Sequence, residues 1–156
     1  MSNTWKIRFD EQRTEELETG SRGYHFFSQS PSIVAEQRAQ YGEAVLDFHE
    51  TGSFFDYLDF TSQDVAELLE VDPSTLFRWK KEDRKLSKAI TKNLLDMDQI
   101  IAKGIRIFGS EEQMSKWLQT PNTALGQQKP SDLLKNPYQI SLVDQALEAI
   151  SWGNIL

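Results

Sequence analysis

The sequence predicts an all-α fold in which a helix-turn-helix domain is followed by a second, small helical domain. Apolar residues recur at intervals of three and four along most of the chain after residue 30, the spacing of one helix face. Residue pairs that start helices precede these runs, as at Ser30–Pro31 and Asp72–Pro73. Only one short segment alternates apolar and polar residues as a strand does.

Three regions follow from these patterns. Residues 1–30 are expected to be a poorly packed N-terminal segment, residues 31–109 a helical domain that contains the helix-turn-helix, and residues 110–156 a second helical domain. The expected helices run from Ser30 to Gly52, Thr61 to Leu69, Asp72 to about Glu82, Ser87 to Phe108, Ser110 to Gln119, Ser131 to Lys135, and about Tyr138 to Trp152.

The strand pattern lies in the N-terminal segment. Trp5, Ile7 and Phe9 alternate with basic residues, and a partner strand is expected at residues 24–27. A two-stranded ribbon is only marginally stable in water, so this segment is expected to be loosely docked or to order on meeting a partner.

Composition limits the class of protein. The 156 residues include no cysteine, which excludes disulfides and thiolate ligands and is compatible with a reducing compartment. No apolar run approaches the roughly 20 residues that a membrane helix needs, and the N-terminus does not resemble a secretory signal. We therefore expect a cytoplasmic protein with no membrane partner.

Positive charge is concentrated in one block of an acidic chain. The net charge is −7, yet residues 73–106 carry nine basic and four acidic side chains. Residues 1–72 carry five basic and fifteen acidic ones. Taken alone, the block is equally compatible with a solvated helix face and with a surface that binds an anionic partner.

The block begins inside a helix-turn-helix pattern at residues 63–79. Such a unit needs two closely crossing helices and a short turn, and Ala66 provides the small side chain at the crossing. Glu70 stands where a glycine is common. The residues expected to form a miniature core are Val65, Leu69, Val71, Leu76 and Trp79.

The second helix of this unit is the candidate DNA-binding element. Its N-terminal residues are expected to meet base edges in the major groove, with Arg78 contacting guanine. Thr75 and the helix N-terminus are candidates for a phosphate contact, and Phe77 either touches a thymine methyl group or packs against a neighbouring helix. The full set of candidate residues is Ser74, Thr75, Phe77, Arg78, Lys80, Lys81, Arg84 and Lys85, with Lys88 as a further phosphate contact. The alternative is a pair of ordinary helices that imitates the pattern.

A block of ten residues near the C-terminus resembles a known family. Residues 117–126 have the sequence Trp-Leu-Gln-Thr-Pro-Asn-Thr-Ala-Leu-Gly and are similar to the Xre/MbcA/ParS antitoxins. The resemblance runs from about Gly52 to the C-terminus and includes Leu76–Trp79, Leu86–Ser87, Phe108–Gly109 and Pro130–Leu134. The family usually has a second glycine at Gln127 and a hydroxyl cap at Lys129.

The resemblance implies a repressor-antitoxin. Its usual partner is a RES-domain toxin that destroys NAD, and the antitoxin covers the active-site cleft of that toxin. Such antitoxins also repress their own promoter, typically as dimers, so operator DNA and a second copy of the chain are further expected partners.

The candidate toxin-binding residues lie in one loop and in the C-terminal tail. Pro121, Asn122 and Gly126 are expected to shape a loop that the toxin touches. The tail combines an aromatic anchor, a flexible glycine and an apolar end, in residues Trp152, Gly153, Asn154, Ile155 and Leu156. The alternative is that Trp152 and Ile155 only seal the helical bundle. Trp117, Leu118, Leu125, Leu133 and Leu134 are expected to be core residues.

The residues do not indicate an enzyme. Neither histidine, His25 or His49, has the partner spacing of a metal site or a catalytic dyad, and no phosphate-binding glycine loop is present. We expect no cofactor, no metal and no catalytic residues. Two other functions stay open: a stand-alone helix-turn-helix transcription regulator with a C-terminal dimerisation or ligand-sensing region, and an adaptor that binds protein alone.

Overall fold

The structure, a computed structural model of the chain, describes residues 3–8, 14–19, 45–82 and 84–153. Strands β1 (Asn3–Arg8) and β2 (Thr14–Thr19) pair with each other, and seven α-helices follow within the described ranges. The helices are α1 (Gly52–Tyr57), α2 (Ser62–Leu68), α3 (Pro73–Trp79), α4 (Lys88–Phe108), α5 (Glu111–Leu118), α6 (Pro130–Leu134) and α7 (Ile140–Ser151), and the 3-10 helices are Phe48–Thr51 and Thr123–Leu125. The predicted helical fold class is confirmed.

The N-terminal strands form an antiparallel ribbon beside α1. The register places Trp5 opposite Leu17 and Lys6 opposite Glu16. The strand predicted at residues 5–8 is confirmed, and it pairs with β2; the partner predicted at residues 24–27, like Phe9, lies outside the described residues. A short connection favours the nearer segment, and the glutamates of β2 made it a poor strand candidate from composition.

The prediction that an α-helix continues to Gly52 is wrong for the last turns before that residue. Asp47 is extended and bridges Lys85 in an antiparallel arrangement, immediately before the 3-10 helix that begins at Phe48. The Phe48 N–H donates to the Arg84 carbonyl (2.7 Å), and the Leu86 N–H donates to the Leu46 carbonyl (2.8 Å). Gly52 then begins α1. These long-range bonds satisfy backbone groups that a helix would otherwise pair locally. The predicted start at Ser30 lies outside the described residues.

The remaining helices begin close to where the sequence places them. Thr61 caps α2 in a capping box with Asp64, and Ser87 caps α4 by accepting from the Ile90 N–H. Gly109 ends α4 in a left-handed conformation, φ +84°. The helix predicted to reach Glu82 stops at Trp79, since the chain turns to pair with residues 46–48.

The long helix α4 connects the two predicted domains. It packs against α5 and α7, and buried residues from both predicted domains form one contiguous core. Gly104 lies tightly against α5, because a Cβ atom there would overlap the Met114 sulfur. Among the described residues no helix is long and apolar enough to cross a bilayer.

Candidate functional site

Helices α2 and α3 cross closely around Ala66, as the sequence predicts. Ala66 is 3% exposed, and its carbonyl accepts a hydrogen bond from the Val71 N–H in the turn (3.0 Å). The miniature core is confirmed: Val65, Leu69 and Leu76 are buried, and Val71 and Trp79 are half-buried against them. The edge of the Trp79 ring also packs on Phe48, with 6.0 Å between ring centres.

The turn between these helices contains one strained residue. Glu70 has φ +57°, in the left-handed region that glycine occupies at little cost. The unusual residue noted in the sequence therefore keeps the backbone conformation of the common glycine.

The N-terminal end of α3 is occupied by a carboxylate. Asp72 accepts from the Thr75 N–H (2.7 Å) and from the hydroxyls of Ser74 (2.5 Å) and Thr75 (3.2 Å). The hydrogen bond from the Ser74 hydroxyl, followed by that from the Thr75 backbone, holds the pKa of Asp72 below its ordinary value. A negative charge thus stands where the sequence analysis expects a phosphate, and the structure lends no support to that role of Thr75.

Four side chains share the outward face of α3 and the turn after it. Ser74, Phe77, Arg78 and Lys81 follow one another at spacings of three, one and three residues and are all exposed, opposite the buried Leu76. The Lys81 ammonium lies 4.4 Å from the centre of the Phe77 ring. In the described residues Phe77 is 61% exposed, so packing on a neighbouring helix does not cover it.

The other predicted cations surround this face without all pointing the same way. The Lys80 ammonium lies 3.4 Å from the Ser62 hydroxyl and is directed back to α2. The Arg84 guanidinium lies over the Trp79 ring, 5.5 Å from its centre. Lys85 is exposed beside it, on a segment held in place by the backbone pairing of residues 84–86 with 46–48.

Two hydrogen bonds tie the residues before α2 to the C-terminal region. The Tyr57 hydroxyl donates to the Glu111 carbonyl (2.8 Å), and the Gln119 side-chain amide donates to the Leu58 carbonyl (2.9 Å). Burial, reinforced by the Glu111 charge, raises the pKa of Tyr57 above its ordinary range, which keeps this hydroxyl a donor. The sequence offered no indication of either contact.

The loop at residues 121–128 is organised by Asn122. Its side chain is 7% exposed and accepts from the Ala124 N–H (2.8 Å), so Asn122 shapes the loop and presents little surface of its own. Gly126 and Gln127 both adopt left-handed conformations, φ +66° and +64°. The glycine that the family usually has at the position of Gln127 would adopt this left-handed conformation at little cost. Lys129 makes no side-chain cap for α6.

The last helix, α7, buries one face and leaves apolar residues on the other. Val143, Ala146 and Leu147 are buried, and Leu118, Leu133 and Leu134 in neighbouring elements are core residues as predicted. Tyr138 (93% exposed) before α7, Leu142 (43%) within it and Trp152 (82%) directly after it lie outside the core, and we call these three residues together the α7 apolar face. Trp152 therefore does not seal the bundle. Tyr138 and Leu142 were not among the predicted toxin-binding residues, although Leu142 falls off the helical spacing of the buried residues.

A groove of about 640 Å³ lies beside this face, between α4 and α7. Lys103 lines it and forms ion pairs with Asp144 (2.7 Å) and Glu148 of α7. Pro121 and Gly126 are exposed, and the 3-10 helix between them lies against α7. The predicted loop is thus close to the last helix. Asn154, Ile155 and Leu156 lie outside the described residues, and Gly153 is exposed with φ +85°.

Residues 103–153, which include this loop, the last helix and part of the groove lining, match the family model of the antitoxin Xre/MbcA/ParS C-terminal toxin-binding domain. This region is similar to the toxin-binding domain of the Xre/MbcA/ParS antitoxins. The similarity seen in the sequence block at residues 117–126 is thereby confirmed for this region.

The chain is similar to a chain in the crystal structure of the M. tuberculosis MbcT–MbcA toxin–antitoxin complex, at 18% identity and a TM-score of 0.42, covering 68% of this chain and 94% of that one. No curated protein is detectably similar to the chain. Among the described residues, no three histidine, aspartate or glutamate side chains lie together in a group fit for a metal ion.

Proposed function

We propose that this antitoxin neutralises a cognate RES-domain, NAD-degrading toxin by covering its active site, and that it represses its own operon through the α2–α3 unit. It acts in the cytoplasm, as a homodimer and without catalysis of its own. The observation that carries the toxin-binding half is the α7 apolar face, because exposed aromatic residues in a domain of this family are suited to bind a partner.

The composition of this face supports a protein partner. Tyr and Trp are the residues most enriched at the energetic centres of interfaces, since each buries a large ring and keeps a polar group for a hydrogen bond. Trp152 ends α7 and is followed by the left-handed Gly153, so the chain changes direction immediately after the anchor. In this proposal the residues after Gly153 enter the toxin cleft that the Trp152 ring abuts.

The first experiment co-expresses the chain with the protein encoded by the neighbouring gene, the proposed RES-domain toxin, and measures cell survival, NAD content and co-purification. Trp152→Ala is expected to abolish protection and co-purification while the melting temperature stays within about 2 °C, because a ring that is 82% exposed contributes little to folding. Phe77→Ala is the matched control, an exposed aromatic in the α2–α3 unit, and is expected to protect fully.

Deletion of residues 152–156 tests the same surface more severely. It is expected to remove protection but to leave DNA binding intact. A truncated chain that still rescues the cells contradicts the blocking role of the tail. A chain that never co-purifies with the neighbouring RES-type protein leaves the stand-alone transcription regulator as the better function.

The DNA-binding half depends on the outward face of α3. An exposed Arg78 flanked by the exposed Lys81 is suited to bidentate contact with guanine, with the cation beside it at the phosphate backbone. We expect Arg78→Ala to weaken binding to the promoter fragment of its own operon by about 1–3 kcal/mol. Arg106→Ala removes an equally charged exposed side chain from the α4–α7 groove and is expected to leave DNA binding unchanged. Equal binding of the Arg78→Ala variant and the parent would refute the assignment.

A further inference from the structure

Phe77 is the one apolar residue among the four side chains of the outward face of α3. The other members of that face are polar or cationic, yet Phe77 is a large apolar ring that is 61% exposed. Its described ring contact is with the Lys81 ammonium, 4.4 Å from the ring centre. A cation at this distance restrains the ring without covering it, so the apolar surface stays available to a partner.

We propose that Phe77 contacts the 5-methyl group of a thymine in the major groove and sets the base preference at that position. This inference rests on the DNA-binding half of the proposed function. Thymine is the one base that places an apolar group in the major groove, whereas adenine, guanine and cytosine present polar edge atoms there. A ring packed on the methyl group gains apolar burial, and the same ring against a polar edge would strip water from it without a hydrogen bond.

The spacing on α3 makes the proposal more specific. Phe77 and Arg78 are both exposed on α3, about 100° apart around the helix axis, so both side chains reach base edges in one groove. The preferred site therefore contains a thymine within a few base pairs of the guanine that Arg78 contacts. Lys81 lies one turn later and holds the ring while its charge faces the phosphates.

Charge favours DNA over a second copy of the chain as the occupant of this face. A symmetric contact between two copies through Phe77 would bring Arg78 and Lys81 of one copy against the same residues of the other. Like charges brought together in an interface cost several kcal/mol, whereas a DNA backbone neutralises them.

A uracil scan tests the contact with the full chain. The protein first selects its preferred duplex from a pool of random short duplexes, and each thymine of that duplex is then replaced in turn by deoxyuridine, which lacks only the methyl group. At one thymine, or at one per half-site, the wild-type chain is expected to lose about three- to fivefold in affinity, the value of one buried methyl group. Phe77→Ala is expected to bind both duplexes equally, and Phe77→Leu to keep part of the preference.

The outcomes separate this inference from the function on which it rests. A chain that selects no duplex overturns both. A chain that binds its duplex tightly but tolerates uracil at every position overturns only the role of Phe77, as does a Phe77→Ala variant with undiminished preference. A Phe77→Ala variant that changes from dimer to monomer would assign the ring to a second copy and overturn the proposal. If the Phe77→Ala variant melts at a lower temperature than the wild-type chain, the thymine preference of Phe77→Leu is the deciding measurement.

Discussion

The ammonium of Lys135, the residue that caps the C-terminus of α6, lies 3.0 Å from the Asp64 carboxylate of α2, and it joins the antitoxin-family region to the first helix of the helix-turn-helix unit. The two side chains are only 27% and 22% exposed. Lys135 also pairs with Asp132 (3.0 Å) and lies over the Phe60 ring, 5.2 Å from its centre. Asp64 at the same time caps α2 by accepting from the Thr61 N–H (2.9 Å). One lysine thus holds the start of α2 against the region that matches the antitoxin family model.

Replacing Lys135 is expected to destabilise the protein. Lys135→Met keeps the length of the side chain but leaves the half-buried Asp64 carboxylate without its cation, and we expect a loss of about 1–2 kcal/mol in the free energy of unfolding. Chemical denaturation measures it. Lys92→Met is the control: it removes an ion pair with Asp96 one turn away, but the two side chains there are 74% and 41% exposed. The expected loss for the control is below about 0.5 kcal/mol, and equal losses would contradict the role given to Lys135.

The contribution of this pair is expected to disappear in acid. Burial alone would raise the pKa of Asp64, but hydrogen bonds from the Thr61 backbone and from Lys135 outweigh it and hold the pKa below the ordinary value of 3.8. A carboxyl with a lowered folded-state pKa stabilises the fold above pH 3.8, and that stability is lost as the pH falls through the folded value. The stability difference between wild type and Lys135→Met should therefore be constant near neutral pH and shrink below pH 3.8.

The dependence of stability on alkaline pH follows from the pKa of Lys135. Burial acts to lower the pKa of Lys135, and hydrogen bonds to Asp132 and Asp64 more than compensate, so the pKa lies above its ordinary value of 10.5. The stabilisation is complete below pH 10.5 and is lost as the pH rises through the folded value. Urea titrations at a series of pH values measure both limbs. A difference that persists unchanged at acid pH would show that Lys135 acts through packing alone.

Local chemistry explains why much of this fold is predictable. Thr61, Asp72, Ser87 and Ser110 cap helices by accepting from backbone N–H groups within three residues, so each cap is visible in the sequence. The α2–α3 core is similarly local, because its residues fall within one short segment. What the sequence hides is long-range pairing. The hydrogen bonds between residues 46–48 and 84–86 end one predicted helix and shorten another.

The residues of the candidate site also divide into those that local sequence predicts and those that depend on long-range packing. The exposure of Arg78 follows from helical spacing against Leu76, and a sequence alone suffices to place it. The exposure of Tyr138 and Trp152 depends on which residues of α7 the rest of the protein buries, and an aromatic residue is ordinarily assigned to a core. The Lys135–Asp64 pair joins positions in different elements that no spacing rule connects.

The turn of the helix-turn-helix offers a stabilising substitution. Glu70 holds φ +57°, which costs a side chain with a Cβ atom about 1 kcal/mol or more and glycine almost nothing. Glu70→Gly is expected to raise the free energy of unfolding by up to about 1 kcal/mol, the gain being reduced by the greater freedom of glycine in the unfolded chain. Thermal melting measures it. Glu67→Gly is the control, an exposed glutamate within α2, and is expected to lose about 1 kcal/mol. A loss at both positions would refute the strain at Glu70.

The exposed cations after α3 are expected to govern the salt dependence of DNA binding. Lys81, Arg84 and Lys85 are exposed and follow directly on the outward face that carries Arg78. A cation at a phosphate releases a counterion on binding, so each substitution by alanine should reduce the slope of log K against log salt by about one unit. Affinity measured on the operon's promoter fragment at several salt concentrations gives the slope.

A phosphate contact is distinguished from a base contact by whether its loss weakens affinity equally for all DNA sequences. Loss of a phosphate contact weakens binding to all sequences alike, whereas Arg78→Ala should mainly relax the preference for one base pair. Lys116→Ala removes an exposed charge from α5 and is expected to leave the slope unchanged, which excludes a general effect of net charge. If Lys116→Ala lowers the slope as much as Lys85→Ala does, the positive block of residues 73–106 has no special role, and the duplex responds only to the total charge of the protein.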